Sequence, residues 1–308
     1  NYALKALVSG DKDRAYNLLR EIISKDSNNI DAFLLLGDIV RDKDVNQAIK
    51  IHQSIILRPR ISKNKKIEAH TALAKDFLQS GDKSKAEDEL NIILKMDSSN
   101  KWALLMLKEI ATKNENWKEA LKHEKKLMKI DLNHKKNDES MLNYYIAMDY
   151  KSKDKIKNYL HYLEKSAAAD NIYPESALEL AQYNKDNVET AISYYKLYAK
   201  NKPSQRTLAY NKIENILFDN QQYEDVEILY KELLEKSFDG FALNRLVDIL
   251  LEKKEVSEAH DLVDRFMKSN YSCHSIRLNK LKLESESFEV RKSISSLCNE
   301  MIKDEIIK

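Results

Sequence analysis

The sequence predicts an all-α protein built from repeated helical hairpins, and three observations support this fold class. Gly occurs four times and Pro three times in 308 residues. Sandwiches, barrels and doubly wound sheets need frequent turns that rely on these two residues, so their scarcity argues against β-rich folds. Apolar residues recur at helical spacing along the chain. The motif Ser-Gly-Asp-Lys also occurs twice, at residues 9–12 and 80–83.

The two copies of this motif define the register of a repeat. Each is followed, five residues after its glycine, by an alanine, Ala15 or Ala86. Equivalent positions recur about every 35 residues, close to the 34-residue tetratricopeptide period. They are Ala15, Ala48, Ala86, Ala120, Tyr159, Ala191, Val226 and Ala259. The spacing predicts a tetratricopeptide-like, right-handed superhelical solenoid of about nine helical hairpins.

The third repeat shows how each hairpin is specified. One apolar stripe is predicted on its first helix and a second on the helix that follows. These stripes are formed by Ile67, Leu73, Phe77 and Leu78, and by Ala86, Leu90, Ile93 and Leu94. Between them, Gly81 suits a left-handed helix end and Asp82 suits an N-cap. The small residue at the register position is predicted to let the two helices cross closely.

Residues 1–308 are predicted to form a single solenoid with one irregular place. Tyr159 is too large for the register position, so the fifth hairpin, residues 138–170, is expected to be splayed or shifted, with a seam near residues 131–140. Two long steps between repeats carry basic groups, which form either solvated linkers or a charged rim that faces a partner. These groups are Arg58, Arg60, Lys63, Lys65 and Lys66, then His134, Lys135 and Lys136.

Charge and composition restrict the possible partners. Lys and Arg number 52 against 50 Asp and Glu, so nothing indicates a polyanionic partner. No apolar run reaches the roughly 18 residues of a membrane-spanning helix, and we expect the chain by itself to be soluble. The two cysteines, Cys273 and Cys298, form no CxxC motif, which favours a reducing compartment over a disulfide framework.

Catalytic and cofactor motifs are missing from the sequence. Its four glycines form no phosphate-binding loop, its seven histidines form no HExxH motif, and there is no Gly-x-Ser-x-Gly elbow. The sequence therefore predicts a protein that is not an enzyme, with no catalytic residue, no cofactor and no metal ligand.

From Gly37 to Leu132 the chain resembles the lipopolysaccharide assembly protein B family. The most specific shared string is Ile51-His52-Gln53. The other shared strings are Leu36-Gly37-Asp38, Ala48-Ile49-Lys50, Leu73 to Phe77, Ser80-Gly81-Asp82, Lys85-Ala86-Glu87, Trp117 to Ala120 and Glu164 to Asp170. Weaker similarity continues to about residue 300.

This resemblance implies a non-enzymatic adaptor at the cytoplasmic face of the bacterial inner membrane. Such an adaptor presents the deacetylase LpxC to the FtsH protease, regulates lipopolysaccharide synthesis and organises envelope assembly proteins. Family members carry an N-terminal membrane helix and a C-terminal rubredoxin-like domain that binds iron or zinc. Neither part is expected in this chain, so membrane attachment would need the missing anchor.

The family pattern also singles out four residues of this chain, His52, Gln53, Arg58 and Asp76. By resemblance they are predicted to contribute to protein binding, by maintaining the packing or the docking surface of repeats two and three. For His52 the alternative is a histidine that only packs between repeats.

Two other functions stay open at the level of sequence. One is a generic peptide-binding co-chaperone or scaffold module. Whether the chain forms a homodimer also stays open. The other is an RNA-binding helical-repeat protein, which needs a basic groove. Residues 201–250 carry six basic and nine acidic side chains. This charge argues against nucleic acid.

Overall fold

The computed structural model describes residues 2–131, 134, 137–168, 171–236, 238–269, 273–285 and 288–307, and the side chains of the last helix up to Cys298. These residues form eighteen α-helices and one short 3₁₀ helix, with no strand among them. Eighteen helices is the number that nine hairpins require. The predicted all-α, tetratricopeptide-type solenoid fold is therefore confirmed.

The helices follow one another through short connections. They are α1 (Tyr2–Val8), α2 (Lys12–Lys25), α3 (Ile30–Arg41), α4 (Val45–Ile56), α5 (Lys63–Ser80), α6 (Lys83–Met96), α7 (Lys101–Lys113), α8 (Trp117–Ile130), α9 (Asn137–Ser152), α10 (Ile156–Ala168), α11 (Pro174–Tyr183), α12 (Val188–Asn201), α13 (Arg206–Asp219), α14 (Tyr223–Lys236), α15 (Gly240–Glu252), α16 (Val256–Lys268), α17 (His274–Glu284) and α18 (Phe288–Ile307). The 3₁₀ helix, Pro203–Gln205, precedes α13.

The repeated Ser-Gly-Asp-Lys motif forms the turn between the two helices of a hairpin. Gly10 and Gly81 have φ angles of 79° and 82°, the left-handed conformation that ends a helix. The carboxylates of Asp11 and Asp82 then accept the backbone N–H of the residue three positions later, at 3.0 and 3.1 Å. Both predicted roles, helix end and N-cap, are confirmed.

The register positions lie in the interior of the hairpins. Ala15, Ala48, Ala86 and Ala120 are all fully buried. Tyr159 is also buried, and its hydroxyl donates a hydrogen bond to Glu179 Oε2 at 2.7 Å. The larger side chain is therefore accommodated with its polar end paired.

The chain divides into two compact units, and the division falls between Lys155 and Ile156. Unit 1 is built from α1–α9 and unit 2 from α10–α18. The single solenoid over residues 1–308, the seam near 131–140 and the splayed fifth hairpin stay predictions. Lys135 and Lys136 of the predicted basic segment lie outside the described residues.

Each unit has an apolar core that runs from hairpin to hairpin. In unit 1, Leu90 and Ile93 of α6 pack with Leu107 and Ile110 of α7, which joins the third hairpin to the fourth. In unit 2, the core includes Phe241, whose ring stacks on Tyr210 with centroids 6.4 Å apart. Because every hairpin buries its apolar face on a neighbour, the stack supplies the core that one hairpin lacks.

Ion pairs also link neighbouring hairpins. In unit 1, Lys108 Nζ of α7 lies 3.0 Å from Glu124 Oε2 of α8 and 2.6 Å from Asp138 Oδ2 of α9. In unit 2, the fully buried Lys282 of α17 lies 2.8 Å from Asp248 Oδ1 of α15. Among the described helices, none is long and apolar enough to cross a membrane.

Candidate protein-binding groove

The predicted site begins with a close approach between α3 and α4. Gly37 of α3 faces the imidazole of His52, and a Cβ added at Gly37 would lie 2.2 Å from His52 Nε2. Any larger residue would therefore collide with the ring. His52 is fully buried at this crossing.

His52 and Asp76 meet in the interior, although 24 residues separate them. His52 Nδ1 lies 2.6 Å from Asp76 Oδ2, and its Nε2 lies 3.3 Å from the carbonyl oxygen of Leu34. Asp76 is also fully buried. This contact connects α4 to α5 and hence the second hairpin to the third.

Arg41, at the end of α3, completes the buried network. Its Nε donates a hydrogen bond to Asp76 Oδ1, and its Nη2 donates to Asp38 Oδ1 and, at 3.4 Å, to the carbonyl oxygen of Ala72. Burial by itself would lower the pKa of Arg41, but the bonds and charges of Asp76 and Asp38 outweigh it and raise that pKa. Asp76 is therefore a buried carboxylate whose partners compensate its burial.

A groove next to this network is lined by the first helices of the first three hairpins. We call it the first-helix groove, and its volume is about 550 Å³. It is lined by Leu4 of α1, by Asp31, Leu34, Leu35 and Asp38 of α3, and by Ile67, Glu68, Thr71, Ala72 and Lys75 of α5. The lining therefore combines apolar side chains with four charged ones, Asp31, Asp38, Glu68 and Lys75. Three of its residues, Leu34, Asp38 and Ala72, are hydrogen-bond partners of His52 or Arg41.

A lysine forms ion pairs with two acidic residues of the groove lining. Lys65 Nζ lies 2.5 Å from Asp31 Oδ1 and 2.7 Å from Glu68 Oε2. The hydrogen bonds to Asp31 and Glu68 raise the pKa of Lys65. Since Asp31 belongs to α3 and Lys65 to α5, this ion pair joins two of the helices that line the groove.

The other two predicted residues lie apart from the network. Gln53 is exposed on α4. Arg58 follows α4, and its guanidinium carbon lies 3.9 Å from the ring centroid of Phe33. Its Nη1 is buried without a hydrogen-bond partner among the described residues. The predicted role of all four residues in protein binding stays a prediction.

Gly37, Arg41 and Asp38 were not predicted as site residues. The shared string Leu36-Gly37-Asp38 contains two of them, and the three-residue spacing of Asp38 and Arg41 is typical of an ion pair on a helix. These signals point to α3, but they do not show which residue of another helix is the partner. In the described residues, no group of three or more His, Cys, Asp or Glu side chains could hold a metal ion.

The hairpin repeat, its capped turns and its open first-helix groove define a protein of the tetratricopeptide class. Residues 1–137 match DUF7017, a domain of unknown function. The chain is 25% identical over 165 residues to lipopolysaccharide assembly protein B of Escherichia coli K12, which covers 53% of this chain and 42% of that protein.

The Haemophilus influenzae protein of the same name is 29% identical over 133 residues, which covers 40% of this chain and 34% of the relative. This chain therefore spans less than half the length of these relatives. The predicted resemblance to lipopolysaccharide assembly protein B is confirmed for about half of the chain. A crystal structure of MamA is 19% identical, with a TM-score of 0.41, over 54% of this chain and 92% of MamA.

Proposed function

We propose that this protein is a non-enzymatic scaffold that binds a protein partner in the first-helix groove. The observation that carries the proposal is the open groove across α1, α3 and α5, whose lining includes hydrogen-bond partners of the buried residues His52 and Arg41. A groove lined by both apolar and charged side chains suits a polypeptide, because apolar side chains supply affinity and charges supply orientation.

Similarity to lipopolysaccharide assembly protein B supports a more specific version of this proposal. The chain would present LpxC to FtsH at the cytoplasmic face of the inner membrane, held there by an anchor in another part of the protein. It would organise envelope assembly proteins and need no cofactor. In this version the partners are proteins, a second copy of the chain included, and not nucleic acid.

The proposal is tested by binding of purified LpxC and FtsH to the full chain, with Thr71→Arg as the groove variant. The arginine fills the groove, so we expect affinity for the partner to fall by about tenfold or more. Thr112→Arg is the matched control. Both threonines hydrogen-bond the carbonyl four residues earlier on a first helix, at 2.7 and 2.8 Å, but Thr112 lies outside the groove lining.

Three results are informative. Binding of either protein that Thr71→Arg weakens and Thr112→Arg leaves unchanged supports the specific version. If neither protein binds at micromolar concentration while short peptides bind in the same groove, the generic peptide-binding module is the better description. If Thr71→Arg and Thr112→Arg behave alike for every ligand, the groove is not the binding site.

A further inference from the structure

The last helix, α18, packs differently from α14 and α16, the second helices of the two hairpins before it. Each of those helices joins its own first helix to the next one, because α14 packs on α13 and α15, and α16 packs on α15 and α17. Helix α18 instead packs on α17, back on α15 and on the 3₁₀ helix that precedes α13. Its 20 residues span about 30 Å, which is enough to cross three helices spaced about 10 Å apart. Helix α18 therefore lies across first helices of unit 2.

A polar surface on α15 and α17 receives α18. We call it the α18 seat and define it by Asn244 and Asp248 of α15 and Lys282 of α17. Ser295 Oγ of α18 donates to the Asp248 carboxylate, at 2.9 and 3.1 Å from its two oxygens, and Asn244 Nδ2 donates to the Ser295 carbonyl oxygen at 3.4 Å. Cys298, one turn later on the same face of α18, is fully buried. Burial raises the pKa of the Cys298 thiol to about 11 against the opposing charge of Lys282, so the thiol also lies near the seat.

The seat keeps its charges paired without α18. Lys282 Nζ lies 2.8 Å from Asp248 Oδ1 and 2.6 Å from Asn244 Oδ1. Arg245 Nη1 lies 3.7 Å from Asp248 Oδ2. Withdrawal of Ser295 therefore leaves no charge without a partner, which is the change that makes breaking a buried ion pair costly. The lost hydrogen bond can be replaced by water at both Ser295 and Asp248.

Packing between α18 and α15 is incomplete. A cavity of about 440 Å³ is lined by residues of both helices, Leu251 of α15 and Phe288 of α18 among them. Phe288 is 75% exposed. Of the α18 side chains that the structure describes, from Phe288 to Cys298, Cys298 alone is buried, whereas α15 buries side chains along most of its length. This part of α18 is therefore held on α15 by few contacts.

We propose that α18 is an internal occupant of the α18 seat and closes first helices of unit 2 to other proteins. When α18 leaves, the seat becomes free for an amphipathic α-helix of another protein. That helix brings a hydroxyl group to Asp248 and a small side chain three residues later, as Ser295 and Cys298 do. Its apparent affinity is reduced by the fraction of chains in which α18 is in place. This site lies in unit 2 and does not depend on the first-helix groove of unit 1.

Labelling of Cys298 in the full chain measures the opening of α18. N-ethylmaleimide reacts with an exposed thiol, and mass spectrometry of the digested chain reports Cys298 separately from the half-buried Cys273. Ser295→Ala removes a hydrogen bond to a charged carboxylate, so we expect Cys298 to react about tenfold faster. Ser296→Ala changes the exposed neighbour on the same helix and is the matched control, which should leave the rate unchanged.

Hydrogen exchange of the same three proteins separates opening of α18 from unfolding of unit 2. In Ser295→Ala the amides of α18 should exchange faster, and those of α15 should exchange as in the unaltered chain, because only α18 leaves. Thr71→Arg should change neither the exchange of α18 nor the labelling of Cys298. Failure of this site is therefore distinguishable from failure of the first-helix groove.

A fluorescent peptide of residues 288–307 with Cys298→Ala tests replacement of α18 by a helix from another molecule. A short tether gives α18 an effective concentration of about millimolar, so the peptide should half-saturate the unaltered chain only near that concentration. In the Ser295→Ala chain the internal helix competes less well, and half-saturation should need about tenfold less peptide. Bound peptide should also speed the labelling of Cys298 in the chain.

Four results would each overturn the proposal. The first is equal labelling of Cys298 in Ser295→Ala and Ser296→Ala. The second is exchange in Ser295→Ala that rises as much in α15 as in α18, which would make α18 part of the cooperative core. The third is no binding of the peptide to the Ser295→Ala chain at several millimolar. The last is binding that leaves the labelling of Cys298 unchanged, which would place the peptide elsewhere on the chain.

Discussion

At the scale of single residues, the contact between Gly37 and His52 determines how closely α3 and α4 approach. The ring occupies the space that any Cβ at position 37 would need. Asp76 and the Leu34 carbonyl each contact one ring nitrogen, so the orientation of the ring is fixed. Packing at this crossing is therefore specified by one glycine and one histidine together.

The variant Gly37→Ala should destabilise the protein by about 2 kcal/mol, because the new methyl group overpacks the crossing. In a His52→Ala background the clash is gone. The same change should then stabilise α3 by up to about 1 kcal/mol, since Ala is the better helix former. Urea unfolding of the four proteins measures this coupling. Equal effects in both backgrounds would show that the ring is not the obstacle.

Asp76→Ala should cost about 3–5 kcal/mol in the free energy of unfolding, because it leaves Arg41 and His52 buried without their shared carboxylate. The control is Asp42→Ala, which removes an exposed partner of Lys12 and should leave the unfolding midpoint unchanged. Chemical denaturation compares the two. A loss at Asp76 no greater than at Asp42 would contradict the importance of the buried network.

His123 predicts a pH dependence of stability. Its pKa is below the ordinary value of 6.5 in the folded protein, so the unfolded chain binds the proton more readily. The free energy of unfolding should therefore fall as the pH decreases from about 7 to about 5. Replacing His123 with Asn should make this decline shallower in urea titrations at several pH values, and an unchanged slope would refute the assignment.

At the scale of elements, some neighbouring hairpins are joined by a buried polar cluster. In unit 2, Glu214 of α13 accepts a hydrogen bond from Tyr230 of α14 at 2.8 Å and pairs with Arg245 of α15. Burial, with the charge of Glu214, raises the pKa of Tyr230. His52, Asp76 and Arg41 connect three successive helices of unit 1 in the same way. Such a cluster is fully hydrogen-bonded only when its helices pack in one relative position, so it specifies that position.

Arg245→Met should lower the free energy of unfolding by about 3 kcal/mol, because it leaves the buried Glu214 carboxylate without its cation. Adding Glu214→Gln to the same chain should recover part of this loss, since the uncompensated charge is then removed. Thermal denaturation of the single and double variants measures the recovery. A double variant that is less stable than Arg245→Met would contradict this explanation.

At the scale of the whole molecule, the chain is two compact units, each a stack in which hairpins contact their neighbours. The stability of such a stack is approximately the sum of the stabilities of its hairpins and of the interfaces between neighbouring hairpins. A destabilising substitution should therefore affect mainly the hairpins around it. In the Asp76→Ala variant we expect faster amide hydrogen exchange in α3–α6 and unchanged exchange in α15–α17, measured by mass spectrometry. A uniform rise along the chain would indicate a single cooperative unit instead.

The sequence alone determined the all-α class, the repeat and the hairpin turns. Scarce Gly and Pro, helical periodicity and the Ser-Gly-Asp-Lys motif act within one helix or one turn, so their effects can be derived without knowing the rest of the fold. The shared strings also predicted the resemblance to lipopolysaccharide assembly protein B.

Only the tertiary structure decided which side chains meet. It places His52 and Asp76 in one buried network with Arg41, leaves Gln53 exposed and puts Arg58 on Phe33. It also buries Nδ1 of His123 without a hydrogen-bond partner among the described residues, which the sequence did not indicate. The physical reason is that contacts between helices depend on how each helix is rotated and where the helices cross, and repeat spacing specifies neither.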